Sequence, residues 1–147
     1  MKSIERRANK FTFPFYGRLF AVSLGMNWLW EMAQMFAFKL KPEDSRIEVL
    51  VFCTLASVVD ALVTIGIYKL LSQFVSANQT VFYFLAAALG AMCAVFFEWF
   101  AFHFGFWAYS ETMPVIPFLK VGLLPFVQLT LLAPLAIWLT KRDLKKR

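Results

Sequence analysis

Four apolar stretches dominate the chain: Leu19–Phe38, Val49–Leu71, Val81–Phe104 and Val121–Thr140. A helix needs roughly 20 apolar residues to cross a hydrocarbon core about 30 Å thick, and each stretch reaches that length. The pattern therefore predicts an all-α fold, a polytopic bundle of four transmembrane helices with boundaries near 19–38, 49–71, 81–104 and 121–140. The connections are too short to hold a separate soluble domain, so residues 1–147 read as one domain. Met1–Arg18 carries aromatics and Pro14 ahead of a full-length apolar run. That is unlike a cleaved signal, whose apolar region is shorter, and the first helix is expected to be retained.

Local signals mark the helix ends. Ser45-Arg46-Ile47-Glu48, after Pro42, is a capping-box pattern in which the serine oxygen and the glutamate carboxylate satisfy free backbone N–H groups. Ser76–Thr80 reads as a polar turn, with Thr80 as the expected cap of the third helix. Pro125 is expected to release a backbone carbonyl inside the fourth helix. The segment from Gly105 to Lys120 holds Trp107, Tyr109, Met113, Ile116 and Phe118 and is too apolar to float in water. It is expected to fold back over the mouth of the bundle.

Composition agrees with a membrane setting. Hydrophobic residues make up 61% of the chain and charged ones 16%, against about 45–50% and about 25% in soluble domains. Charge then orients the bundle. Eleven Lys and Arg lie in the two termini and near the second connection: Lys2, Arg6, Arg7, Lys10, Arg18, Lys69, Lys141, Arg142, Lys145, Lys146 and Arg147. Four, namely Lys39, Lys41, Arg46 and Lys120, lie on the other side beside Glu43, Asp44, Glu48 and Glu111. Basic residues are retained on the cytoplasmic side, which predicts cytoplasmic termini in a multi-pass protein of the plasma (inner) membrane. The net charge of +6 sits at helix ends, where it meets anionic headgroups. Membrane lipids are the expected partners, and nucleic acid is not.

The residues out of place are polar ones inside the apolar stretches. A charged carboxylate at membrane depth costs roughly 2.5–3.5 kcal/mol on insertion scales, and this chain places Glu31, Asp60 and Glu98 there. Asn27, Glu31 and Gln34 fall at i, i+4 and i+7, one helix face, which Ser23 extends. Cys53, Ser57, Asp60 and Thr64 make a second such stripe. Ala87, Ala91, Ala94 and Ala101 share a face with Glu98, and small residues let membrane helices approach closely. Gln128 lies one turn past Pro125. At the depths set by this topology the groups converge in the outer half of the bundle. They predict a polar pocket walled by Trp28, Trp30, Phe97, Trp99 and Phe102 and roofed by the Trp107–Phe118 segment.

Polar side chains also hold membrane helices together, at roughly 0.6–2 kcal/mol per bond. Asp60 with Ser57 and Thr64 fits that role as well as a functional one. Two acids and two amides at one depth exceed what packing requires. Glu31 and Glu98 are thus the candidate acid and base, and Asn27, Gln34, Asp60, Gln128, Trp30, Trp99, Trp107 and Tyr109 are candidate substrate contacts. His103, with Glu98 and Glu111, is the one conceivable metal-ligand set, and an interfacial or proton-relay role fits a lone histidine better. Cys53 and Cys93 read as small buried side chains. No phosphate loop, cysteine pair or nucleophile elbow occurs, and no metal or cofactor is expected.

Two segments resemble known families. Asn27-Trp28-Leu29-Trp30-Glu31 resembles the Asn-x-x-Trp-Glu segment of integral membrane terpene cyclases. Trp107-Ala108-Tyr109, followed by Gly122, Pro125 and Gln128, resembles the Trp-x-Tyr, Gly and Pro arrangement of membrane lycopene cyclases and carotenoid hydratases. Those families place acids after the proline, where Gln128 stands here, and have more helices. The resemblance implies protonation of an isoprenoid double bond by Glu31 or Glu98, with aromatic walls steadying the carbocation.

Three functions follow as expectations. The first is an acid–base enzyme (a cyclase, isomerase or hydratase) acting on a hydrophobic, isoprenoid-like small molecule. The second is a small proton-coupled carrier, which at this size would work as a homodimer. The third is a non-catalytic lipid-binding or assembly subunit whose acids face outward to a partner.

Overall fold

The computed structural model describes residues 2–39, 45–75 and 78–145. They form α1 (Lys2–Gln34), a short 3-10 turn (Met35–Ala37), α2 (Arg46–Phe74), α3 (Gln79–Phe104), a two-stranded hairpin of β1 (Val115–Ile116) and β2 (Val121–Gly122), and α4 (Leu123–Lys145). The fold is all-α with this one small hairpin. Among the described residues, three helices are long and apolar enough to cross a membrane: α2, α3 and residues Leu123–Arg142 of α4. Their outer faces present exposed Leu55, Leu62, Phe84, Met92, Leu131 and Leu135. Such a surface suits a hydrocarbon solvent rather than water.

Helix α1 departs from its expected span at both ends. It runs back to Lys2, so the charged segment before Leu19 is helical, and it stops at Gln34. The chain then tightens through Met35–Ala37, and Phe38 leaves the helix to form a β-bridge with Tyr109. Helix α1 buries Ser23, Asn27 and Gln34 on its inward face and so carries its polar residues into the bundle.

The caps separate the sequence signals. The Ser45 hydroxyl accepts from the Glu48 N–H at 3.1 Å, and the Glu48 carboxylate accepts from the Ser45 N–H at 2.7 Å, which completes the capping box. The third helix is capped by Asn78, whose side-chain oxygen accepts from the Val81 N–H at 3.2 Å. Thr80 is not the cap, because the helix has already begun at Gln79. Pro42 and Ser76 lie outside the described residues. Pro125 sits in the first turn of α4, where its missing N–H would have had no partner in any case, so it frees no interior carbonyl. Pro134 is the proline inside that helix.

The bundle divides along its axis. At the end holding both chain termini, Phe15, Leu19, Ile67, Leu71, Phe82, Ala86, Ala133, Ala136 and Ile137 form an apolar core drawn from all four helices. Lys141 lies over the ring of Phe82, 3.9 Å from its centroid, beside Tyr68 and Tyr83. At the other end the interior is polar. Helix α3 lies closest to α4 through Gly90, where an added Cβ would stand 2.4 Å from the Leu129 carbonyl oxygen. The buried stripe of α3 is Phe82, Ala86, Gly90, Ala94, Glu98 and Ala101. Ala87 and Ala91, expected on this face, lie to its side and are only half-buried. Helix α1 packs on α2 and α4, whereas α2 and α3 touch along a much shorter seam.

Candidate functional site

One side chain organises the polar half. The Gln128 amide nitrogen lies 3.1 Å from Asn27 Oδ1, 3.0 Å from Glu31 Oε1 and 2.9 Å from Asp60 Oδ2. Its carbonyl oxygen accepts from Gln34 Nε2 at 2.9 Å, and Gln34 in turn accepts from the Trp30 indole at 3.0 Å. On the far side, Asn27 donates to the Ser23 carbonyl at 2.8 Å and to its hydroxyl at 3.2 Å. The Ser23 hydroxyl donates to Thr64 at 3.1 Å, and Thr64 to the Asp60 carbonyl at 2.9 Å. A continuous network thus ties α1 to α2 and α4. An amide NH₂ has two hydrogens, and here three acceptors compete for them.

Helical geometry explains why these residues meet. Residues four and seven apart share a face, so Ser23, Asn27, Glu31 and Gln34 line α1 inward, while Ser57, Asp60 and Thr64 do so on α2. Gln128 projects between the two stripes from the second turn of α4.

Glu98 takes a separate position. It is buried on α3 and accepts a hydrogen bond from the Tyr109 hydroxyl. That hydroxyl also accepts from the Gly122 N–H at 2.5 Å. Burial, and then the Glu98 carboxylate, push the Tyr109 phenol up from its ordinary value, which keeps it a donor. Gly122 is required here, since an added Cβ would lie 2.9 Å from both Tyr109 Cζ and Met113 Sδ.

The segment after α3 packs as a roof. Lys39 N–H donates to the Ala108 carbonyl at 2.8 Å, and Ser110 N–H to the Ala37 carbonyl at 2.9 Å. The Trp99 indole donates to the Leu119 carbonyl at 2.8 Å. Not all of the roof is covered: Phe118 is 97% exposed.

Two cavities flank the network. The larger, about 400 Å³, lies in the seam between α2 and α3, with Phe52, Phe96, Phe97, Phe100 and Phe106 among its walls and Glu31, Asp60 and Gln128 on its floor. The smaller, about 220 Å³, lies between the end of α1 and the start of α2, and its lining includes Gln34, Lys39, Glu48 and Cys53. Glu31, Phe52, Ala56, Phe106 and Trp107 line both. The Trp107 indole nitrogen is buried and makes no hydrogen bond of normal geometry among the described residues, although it faces Glu98, and its ring stands edge-on to Phe38 and Phe52.

Asn27, Glu31, Gln34, Asp60 and Gln128 come together as one cluster, with Trp30 at its edge. Glu98 and Tyr109 form a second pair, and Glu98 does not line either cavity. Trp28 and Trp99 are exposed and bonded elsewhere, Trp28 to Thr54 at 3.3 Å. Phe102 packs edge-on against Tyr109 rather than on the cavity. His103 is exposed and edge-on to Phe104, and no three His, Cys, Asp or Glu converge among the described residues. The walls that sequence reasoning missed, Phe52, Ala56, Phe96 and Phe100, carry a usable signal: Phe52 and Ala56 are spaced at i, i+4 in a row that Asp60 continues, and Phe96 and Phe100 are spaced at i, i+4 around Glu98.

The chain matches no family model, no curated protein and no solved structure.

Proposed function

We propose that the chain is an integral membrane enzyme that performs acid–base chemistry on a lipid-soluble, isoprenoid-like substrate. The observation that carries this reading is the shared Gln128 amide, which holds two carboxyl groups, Glu31 and Asp60, on the floor of an apolar cavity in the α2–α3 seam. The mouth of that cavity is formed by Leu55, Val59, Phe96 and Phe100, all exposed on the lipid-facing surface. A hydrophobic molecule enters sideways from the bilayer. A volume near 400 Å³ falls within the roughly 300–1,000 Å³ usual for ligand sites.

In the reaction, one carboxylic acid transfers its proton to a substrate double bond. The resulting carbocation is steadied by the negative faces of the surrounding aromatic rings. The paired carboxylate then removes a proton from a neighbouring carbon, so the proton count is restored and the product is an isomer. If water adds to the cation instead, the product is an alcohol and the same base takes the water's proton. Glu31 suits the acid because it lines both cavities, and the smaller one links it to the charged rim at Lys39 and Glu48. Asp60, reached through the larger cavity alone, suits the base. Glu98, bonded to Tyr109 away from the cavities, suits a positioning role that fixes the roof.

Enclosure of Glu31 and Asp60 by the chain's own helices favours this over an assembly subunit, whose acids would face a partner. The charge asymmetry supports both termini in the cytoplasm, and the plasma membrane is the proposed location.

The test compares the lipids that co-purify with wild-type protein and with Glu31→Gln. The variant is expected to fold and to accumulate an unsaturated lipid, while the wild type carries an isomer of it or its hydrated form. Identical lipids on both proteins would contradict the reading.

A further inference from the structure

The smaller cavity is a slot between two helices. Glu31 and Gln34 line it from the last turn of α1, and Met35 from the turn that follows. Val49, Cys53 and Ala56 line it from α2, spaced at i, i+4 and i+7 on one face. The outer end is charged, since Lys39 and Glu48 also line it and both are exposed. From Glu48 to Ala56 the helix rises about 12 Å, so the slot reaches from that rim well inside the bundle, where Glu31 stands.

Its size and lining suit water. A volume near 220 Å³ has room for several water molecules at roughly 30 Å³ each, and an enclosed water needs about two to four polar partners. Lys39 and Glu48 supply them at the rim, and Glu31 and Gln34 at the inner end. Towards the chain termini the polar network is closed. Its last members there are Ser23 and Thr64, and one turn further stand Leu19 on α1 and Ile67 on α2, buried in the apolar core with Ala133 and Ile137. The larger cavity is walled by Phe52, Phe96, Phe97 and Phe100, surfaces that water does not wet.

We infer that the slot is a water-filled proton inlet, through which the Glu31 carboxyl exchanges its proton with bulk solution on the membrane face opposite the chain termini. In the exchange a water molecule takes up the carboxyl proton as hydronium, and a hydronium ion returns one to the carboxylate and leaves as water. The inference rests on the acid–base reading for what the proton does next, and it names where that proton comes from. The apolar core makes the supply one-sided. Substrate and solvent then approach Glu31 from different cavities.

Thiol labelling tests this independently of turnover, because Cys53 lines the slot whereas Cys93 is not among the lining residues of either cavity. Cys93→Ser protein with a protease-cleavable tag at its C-terminus is reconstituted in sealed phosphatidylcholine vesicles. External protease removes the tag only where the termini face outward. External trimethylammonioethyl methanethiosulfonate, a membrane-impermeant thiol reagent, is then added, and intact-mass spectrometry reads tag and label on each molecule. Label is expected on molecules that keep the tag and not on those that have lost it. Val49→Trp, which fills the slot beside the rim, is expected to abolish the label, and Met35→Trp fills it from the facing side should the first variant misfold. Label on tag-free molecules, equal to or above that on tagged ones, would overturn the proposal. So would no label in either orientation while the unfolded protein is labelled, or the same label on Cys53→Ser protein that retains Cys93. One-sided label on a protein that converts no lipid would sink the enzymatic reading and leave the inlet standing, and conversion without label would do the reverse.

Discussion

Gln128 shows how one residue sets the character of half a bundle. Its amide serves Asn27, Glu31, Gln34 and Asp60 at once, so its loss strands several buried polar groups. Each costs roughly 1–3 kcal/mol when left unpaired. Gln128→Leu is expected to destabilise the protein by about 3 kcal/mol in detergent unfolding followed by circular dichroism, although leucine is the more lipophilic residue. A loss below about 0.5 kcal/mol would show the network to be incidental. Gly90→Ala is expected to cost about 1–3 kcal/mol in the same assay, because its Cβ would overlap the Leu129 carbonyl. The α1 face was legible in the sequence from the i, i+4, i+7 spacing of Asn27, Glu31 and Gln34. The hub role of Gln128 was not, since a lone glutamine in an apolar helix has no periodic companions. Its partners depend on how three helices are rotated against each other.

At the level of elements, the caps are decided by a single residue's place relative to the first helical turn. Asn78→Ala is expected to cost about 1 kcal/mol and Thr80→Ala almost nothing, as read by thermal melting; the reverse order would move the start of α3. The roof depends on Tyr109. Tyr109→Phe removes the bonds to Glu98 and to the Gly122 N–H, worth together about 1–2 kcal/mol. Amide exchange across residues 107–122 is expected to quicken about tenfold, with α2 unchanged. The capping box of α2 could be read directly because both halves lie within four residues. The early end of α1 could not, because it is fixed by the pairing of Phe38 with Tyr109, distant in sequence. Glu98 was paired with Glu31 on depth alone, and depth carries no information about rotation. The structure turns Glu98 towards Tyr109, and Asp60 towards Gln128.

At the scale of the whole molecule, the bundle is held by an apolar core at one end and by an interhelical polar network at the other. The membrane character was plain from the apolar runs, while the cavity between α2 and α3 depends on their short seam, which no run of residues announces. The central claim is proton transfer to carbon within the bilayer, and solvent isotope reads it directly. Wild-type protein and Glu31→Gln in vesicles made from the expression host's lipids, supplemented with lycopene, are incubated in D₂O and the lipids analysed by mass spectrometry. Carbon-bound deuterium in a lipid product from the wild type, and none from Glu31→Gln, is the predicted result. Deuterium absent from every lipid, or incorporated equally by the variant, would contradict the account.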